Sequence, residues 1–191
     1  MNIGVDMRKD FIPVVPAAHY FCGGILVDLN GRTTLGNLYA VGECSCTGIH
    51  GANRLASTSL LEALLWGYSA GKDIAENLTR RDCIDERVFA SITDWENTGN
   101  EHNDDPALIA QDWASIRHIM WNYVGIMRTE SRLRRAFGEL RDLSSHLHDF
   151  YRHTPLSPAL VRLFHGCNTA YLITQAALRN KNSLGCHHRA E

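Results

Sequence analysis

The chain has 191 residues, 45% of them hydrophobic and 21% charged, which suffices for a sizeable core and does not restrict it to one domain. A formal charge of -2, with no run of Lys or Arg, argues against a nucleic-acid or anionic-lipid surface. No apolar stretch reaches membrane-span length and the first residues lack a signal-peptide core, so no membrane contact and a cytoplasmic location are expected.

Ten of the fifteen glycines precede residue 79, whereas the remainder has helical periodicity, and this shift places a boundary near residues 79–84. In the first part, Ile12 to Pro16 is expected to be extended because each proline biases its predecessor away from helix. "GGILVD" reads as a strand, Asn30-Gly31 as a turn, and Leu38 to Glu43 as a buried strand. A glycine-rich loop over 45–53 then leads into a helix over about 59–77. There Ser59-Leu60-Leu61-Glu62 fits a capping box and Leu60, Leu61, Leu64, Leu65 and Tyr68 form an apolar face.

In the second part, a short helix is expected over about 86–97, followed by the polar loop "NTGNEHNDD". Asp105 and Pro106 start a helix running to about 128, with Leu108, Ile109, Trp113, Ile116, Met120, Tyr123 and Met127 at helical spacing. Further helices are expected over about 130–151 and from Ser157-Pro158 to about 180, with a helix terminus closing at Gly185. The fold class expected is α+β: a small strand-rich part followed by an antiparallel helical bundle.

Six cysteines, at positions 22, 44, 46, 83, 167 and 186, read as reduced thiols rather than a disulfide framework. Cys44-Ser-Cys46 and Cys186-His187-His188 lack a second pair at zinc-finger spacing, so no metal is expected. The candidate chemistry lies in two loops. His19 stands before a Gly-Gly pair and Arg54 follows the glycine loop; an arginine fork and an imidazole together suit a carboxylate ligand, and a dicarboxylate is the natural guess. The N-H groups at the start of the 59–77 helix suit an electron-rich group. A purely structural capped loop explains the same local pattern.

The stretches "PVVPAAHYFCGGILVDLNGRT", "LYAVGECSCTGIHGANRLASTSLLEALLWG" and "RNKNSLGCHHR" together resemble the C-terminal portion of the succinate dehydrogenase/fumarate reductase flavoprotein superfamily. "PAAHYFCGG" and "ANRLASTSLLEALLWG" are closer to its L-aspartate oxidase branch than to its respiratory branch. The resemblance implies FAD as cofactor and oxidation of L-aspartate to iminoaspartate in NAD biosynthesis, with dioxygen or fumarate as electron acceptor. His19 and Arg54 match the residues that hold the two substrate carboxylates. Glu43, Asn53, Ser59 and Leu60 match positions on the cofactor, Glu43 near the ribityl or pyrophosphate region and Ser59 and Leu60 at the flavin pyrimidine edge.

The resemblance also implies three regions: the end of a capping domain (1–18), the C-terminal segment of an FAD-binding domain (19–79) and a helical bundle domain (80–191). A G-x-G-x-x-G turn, which seats the FAD pyrophosphate in the family, occurs nowhere in the sequence, nor does most of the capping domain with the family's acid/base arginine. The chain alone is therefore expected to be inactive and to need the N-terminal portion of the same enzyme as partner. Its small-molecule ligand would be L-aspartate or fumarate, and quinolinate synthase is a candidate protein partner. At the tail, Asn182 and Leu184 replace the family's usual Glu and Arg. A piece of a fumarate reductase or succinate dehydrogenase flavoprotein subunit, or a non-catalytic helical interaction module, stands as the alternative.

Overall fold

The computed structural model describes residues 6, 8–12, 14, 18–78, 86–94 and 105–190. The boundary expected near 79–84, most of the 1–18 region and most of the "NTGNEHNDD" loop lie outside the described residues. What is described is mostly helical with a few two-residue strands, an α+β chain.

The first part is a layer of turns laid against one long helix, α1 (Thr58–Leu78). Within the layer, β1 (Ile25–Leu26) pairs in parallel with β2 (Ser45–Cys46), Ile25 opposite Ser45. The Asn30-Gly31 turn forms as expected: the Asp28 carboxylate accepts from the backbone N-H of Asn30 and of Arg32, and Gly31 adopts φ +74°. A side chain at Gly31 would press on Val41 and Ala70, so the glycine also lets the turn sit close to α1.

The strand expected over 38–43 does not form. Tyr39 makes one isolated bridge to Arg32, and Gly42, at φ +77°, turns the chain into a single 3-10 turn, Gly42–Cys44, before pairing resumes at Ser45. The capping-box reading of Glu62 also fails, because its carboxylate is turned away from the helix start and into the layer. Ser57, at φ 68°, makes the sharp entry to α1, where the Thr58 hydroxyl donates to the Leu55 carbonyl at 2.6 Å.

One narrow stripe of α1, Glu62, Trp66, Ala70 and Asp73, is buried against the turn layer. The Trp66 indole N-H donates to the Asp28 carbonyl at 3.0 Å. Asp73 accepts from Arg32 Nε at 2.7 Å and from the Tyr39 hydroxyl at 2.5 Å. Leu60, Leu61, Leu64, Leu65 and Tyr68, the face expected to be apolar, all lie exposed on the opposite side.

The second part begins with a short helix, α2 (Glu86–Ser91), which stops before the expected end; residues 92–94 are not helical and 95–97 lie outside the described residues. Three long helices then pack on one another: α3 (Pro106–Tyr123), α4 (Glu130–His153) and α5 (Pro158–Arg179). Their starts follow capping rules. The side chains of Asp105, Thr129 and Ser157 accept from backbone N-H groups of the first turns, and Pro106 and Pro158 occupy first-turn positions where no N-H is needed.

Leu133, Ala136, Leu140 and Leu147 of α4 meet Leu163, Cys167, Ala170 and Ala177 of α5, with Ile116 and Ile119 of α3 closing the core. Burying each leucine contributes about 1.5–3 kcal/mol, so this cluster is the main source of stability. Helix α3 ends at Tyr123, earlier than expected, because the chain bends through 124–126 into β3 (Met127–Arg128). That strand pairs in parallel with β4 (His188–Arg189). The tail is therefore tied back onto the helices rather than closing one: α5 is capped at Asn180, and Gly185 (φ +59°) serves the tight turn between Leu184 and His187.

Candidate functional site

Of the expected site residues, His19 of the 18–24 turn is brought directly against Arg54 of the 45–57 loop, which leads into α1. Arg54 Nη2 donates to His19 Nε2 at 3.1 Å, which requires that ring nitrogen to be the unprotonated one. Its guanidinium carbon lies 4.8 Å from the centre of the Tyr20 ring, within cation-π range. Arg54 Nε is buried without a hydrogen-bond partner, while His19 is exposed. A cation with one buried, unused N-H, facing an imidazole at the surface, suits an incoming carboxylate.

Glu43 stands on the 3-10 turn, where its Oε1 accepts from the Phe21 backbone N-H at 3.0 Å and so ties that turn to the His19 segment. Asn53 is exposed in the loop immediately before Arg54. Ser59 and Leu60 lie in the first turn of α1, where backbone N-H groups have no intrahelical acceptor. Ser59 is half-buried and Leu60 is 79% exposed.

Beneath this surface lies a cluster that the sequence reading missed. The carboxylate of Glu62, 2% exposed, accepts from Thr47 Oγ1 at 2.5 Å, from His50 Nε2 at 2.7 Å and from the Tyr20 hydroxyl at 3.1 Å. The His50 and Tyr20 rings meet edge to face at 5.2 Å. Burial opposes the charge on Glu62, but the hydrogen bonds from Thr47, His50 and Tyr20 outweigh it and hold the carboxyl below its ordinary value. Burial, then the bond to Glu62, raises the Tyr20 phenol. The signal that could have found the cluster is the spacing of Glu62, Trp66, Ala70 and Asp73, a helical stripe opposite the leucines with an acid at each end.

The tail reaches the same region. Cys186 Sγ donates to the Ala52 carbonyl at 2.9 Å, and Gly185 lies close to the Gly51 carbonyl. The segment "NSLGCHH" thus backs the loop that carries Asn53 and Arg54. The five described cysteines, 22, 44, 46, 167 and 186, are free. No helix among the described residues is long and apolar enough to cross a membrane.

Comparison with known proteins gives this geometry its context. A family model for the FAD binding domain matches residues 1–60, and one for the C-terminal region of fumarate reductase flavoproteins matches residues 113–191. Over these two stretches the chain is similar to an FAD binding domain and to the fumarate reductase flavoprotein C-terminal region. L-aspartate oxidase from Yersinia pestis is 42% identical over 188 residues, covering 98% of this chain and 34% of that protein. The Halobacterium salinarum protein of the same name is 42% identical over 188 residues, 35% of its length.

Among solved structures, a quinol-fumarate reductase with menaquinol molecules superposes with a TM-score of 0.71. It is 31% identical over 99% of this chain and 34% of that one. The Mycobacterium smegmatis Sdh1 complex in the apo form gives 0.70, at 26% identity over 98% of this chain and 33% of that one. The chain spans about a third of the length of the curated relatives it matches.

Proposed function

We propose that the chain supplies the dicarboxylate-binding and part of the flavin-facing surface of an L-aspartate oxidase, which converts L-aspartate to iminoaspartate in NAD biosynthesis. The observation that carries this reading is the Arg54 guanidinium, with its buried unpartnered Nε and its Nη2 directed at His19. Arg54 and His19 would hold the two carboxylates of the substrate and fix its orientation, a positioning role that lowers the entropic cost of reaction. Sequence favours the oxidase over the respiratory flavoproteins, since the relatives near 40% identity carry the oxidase name. The structural likeness to fumarate reductase keeps that enzyme as the second reading.

The residues present fit one edge of a flavin. The first-turn N-H groups of α1 at Ser59 and Leu60 are without helical acceptors and could receive the pyrimidine edge, and Glu43 and Asn53 would contribute to the same cofactor. FAD, when bound, supplies the hydride acceptor. The glycine-rich pyrophosphate turn would come from the rest of the enzyme, so the chain by itself is expected to bind FAD weakly and to show no oxidase activity.

In this reading residues 19–79 belong to the FAD-binding domain, 80–191 form the helical domain and 1–18 are the end of a capping domain. The enzyme would work in the cytoplasm, and quinolinate synthase is the protein partner that would take up its product. The test is an FAD titration of the chain alone and after addition of the FAD-binding portion of a relative, followed by aspartate-dependent peroxide formation. Activity only in the combined sample, lost in Arg54→Ala and His19→Ala, is expected. Absence of dicarboxylate-dependent change in a flavin-loaded sample would overturn the reading.

A further inference from the structure

Glu62 cannot touch a substrate held by Arg54 and His19, because its carboxylate is buried beneath them and fully engaged. A buried charge is costly unless hydrogen bonds compensate it, and here the compensating donors all come from the two loops that build the site. Thr47 and His50 belong to the glycine loop that ends in Arg54, and Tyr20 is the neighbour of His19. One acceptor therefore ties both halves of the clamp to the rigid start of α1.

We propose that Glu62 is a positioning residue for the dicarboxylate clamp. Its carboxylate fixes the Tyr20 ring through the phenol, and the ring fixes Arg54 above it, 4.8 Å away and aimed at His19. His50 makes the arrangement more rigid, since it bonds to Glu62 and also abuts the Tyr20 ring edge to face. With Glu62 removed, the ring loses its anchor and the guanidinium its platform. An arginine that samples several orientations binds a carboxylate less well, although every group touching the ligand is still present.

The assignment rests on the reading of this site as a dicarboxylate clamp, and the experiment separates the two. In the flavin-loaded enzyme containing this chain, succinate serves as a non-reacting dicarboxylate alongside L-aspartate as substrate. Glu62→Met should raise the succinate Kd and the aspartate KM together by about tenfold, with kcat changed less than about threefold. Glu62→Gln should largely restore both, because the amide oxygen still accepts from Tyr20 and His50 while its NH2 can donate to the Thr47 hydroxyl. A purely structural role would lower the melting temperature of Glu62→Met without moving the Kd measured well below it.

Tyr20→Phe, which keeps the ring beneath Arg54 but cuts its bond to Glu62, decides the matter if Glu62→Met does not fold. A succinate Kd raised about threefold or more supports the assignment. The Arg54 Nε-H resonance should move in the same variants. An unchanged Kd in Tyr20→Phe, in a wild-type enzyme that binds succinate, overturns the positioning role and leaves the proposed function standing. Wild-type enzyme that binds no succinate overturns both.

Discussion

The guanidinium carbon of Arg54 lies 4.8 Å from the centre of the Tyr20 ring, so the cation that would meet the ligand is held from below by an aromatic face. Beside this contact, Nη1 donates to the Leu55 carbonyl at 3.3 Å and Nη2 to His19 at 3.1 Å. A lysine can reproduce the charge but not both functions, since its ammonium neither stacks as a plane nor offers parallel N-H groups. Arg54→Lys is therefore expected to weaken succinate binding by about 10- to 100-fold in the flavin-loaded enzyme, corresponding to about 1.4–2.7 kcal/mol. Isothermal titration with succinate reads this directly, and an affinity within about twofold of wild type would count against the planar fork as the binding element.

The two faces of α1 should respond oppositely to mutation. Leu64 is 71% exposed, so Leu64→Gln should change the stability of the chain by no more than about 0.5 kcal/mol. Leu140, completely buried between α4 and its neighbours, should cost about 2–5 kcal/mol as Leu140→Ala. If the exposed leucine face is where the rest of a flavoprotein packs, Leu64→Gln should weaken association with an added FAD-binding portion while thermal melting of the chain stays put. Equal association by the wild type and the variant would exclude this face as the contact.

How far the sequence could be read depended on how local the determining force is. Helix starts were legible at Asp105-Pro106 and Ser157-Pro158, where a cap and a proline act within one turn. The period of α1 was legible too, but not which stripe is buried. A leucine stripe normally faces its own core; here Glu62 and Asp73 are drawn inward by Tyr20, Thr47, His50, Arg32 and Tyr39, partners 12 to 42 residues away in sequence. The missed end of α3 has the same origin, since β3 exists only by pairing with a strand at the far end of the chain. His19 and Arg54 were singled out by residue type and by resemblance. The bond that brings them together spans 35 positions and is visible only in three dimensions.

Acid should loosen the tail through Glu130. Lys181 Nζ and Arg189 Nη2 both reach its Oε2 at 2.5 Å, and Arg134 Nη2 reaches Oε1 at 2.7 Å. Lys181, then Arg189, pulls the carboxyl from its ordinary 4.5 to about 2. A depressed folded-state pKa means that the stabilisation is fully present above the unfolded value and disappears as pH falls through the folded one. The melting-temperature gap between wild type and Glu130→Gln should thus be largest above pH 4.5 and shrink steadily toward pH 2. A gap independent of pH across that window would show that the ionised carboxylate contributes nothing beyond its shape.

Gly166 of α5 sits where a Cβ would overlap the six-membered ring of Trp113 on α3. Two effects compete in Gly166→Ala: helix propensity favours alanine by about 1 kcal/mol, whereas forcing a methyl against a packed ring costs about 1–3 kcal/mol. Trp113 is 40% exposed, so its ring can partly yield, and the expected net result is a loss of no more than about 2 kcal/mol. The decisive comparison is the same substitution made in a Trp113→Leu background, where the overlapping ring atoms are gone and only the propensity gain remains. Denaturant unfolding should then show Gly166→Ala destabilising the natural chain and stabilising the chain that already carries Trp113→Leu, a reversal of sign that neither propensity nor general sensitivity of α5 can produce. Destabilisation in both backgrounds would mean that the glycine is required by something other than the close approach of Trp113.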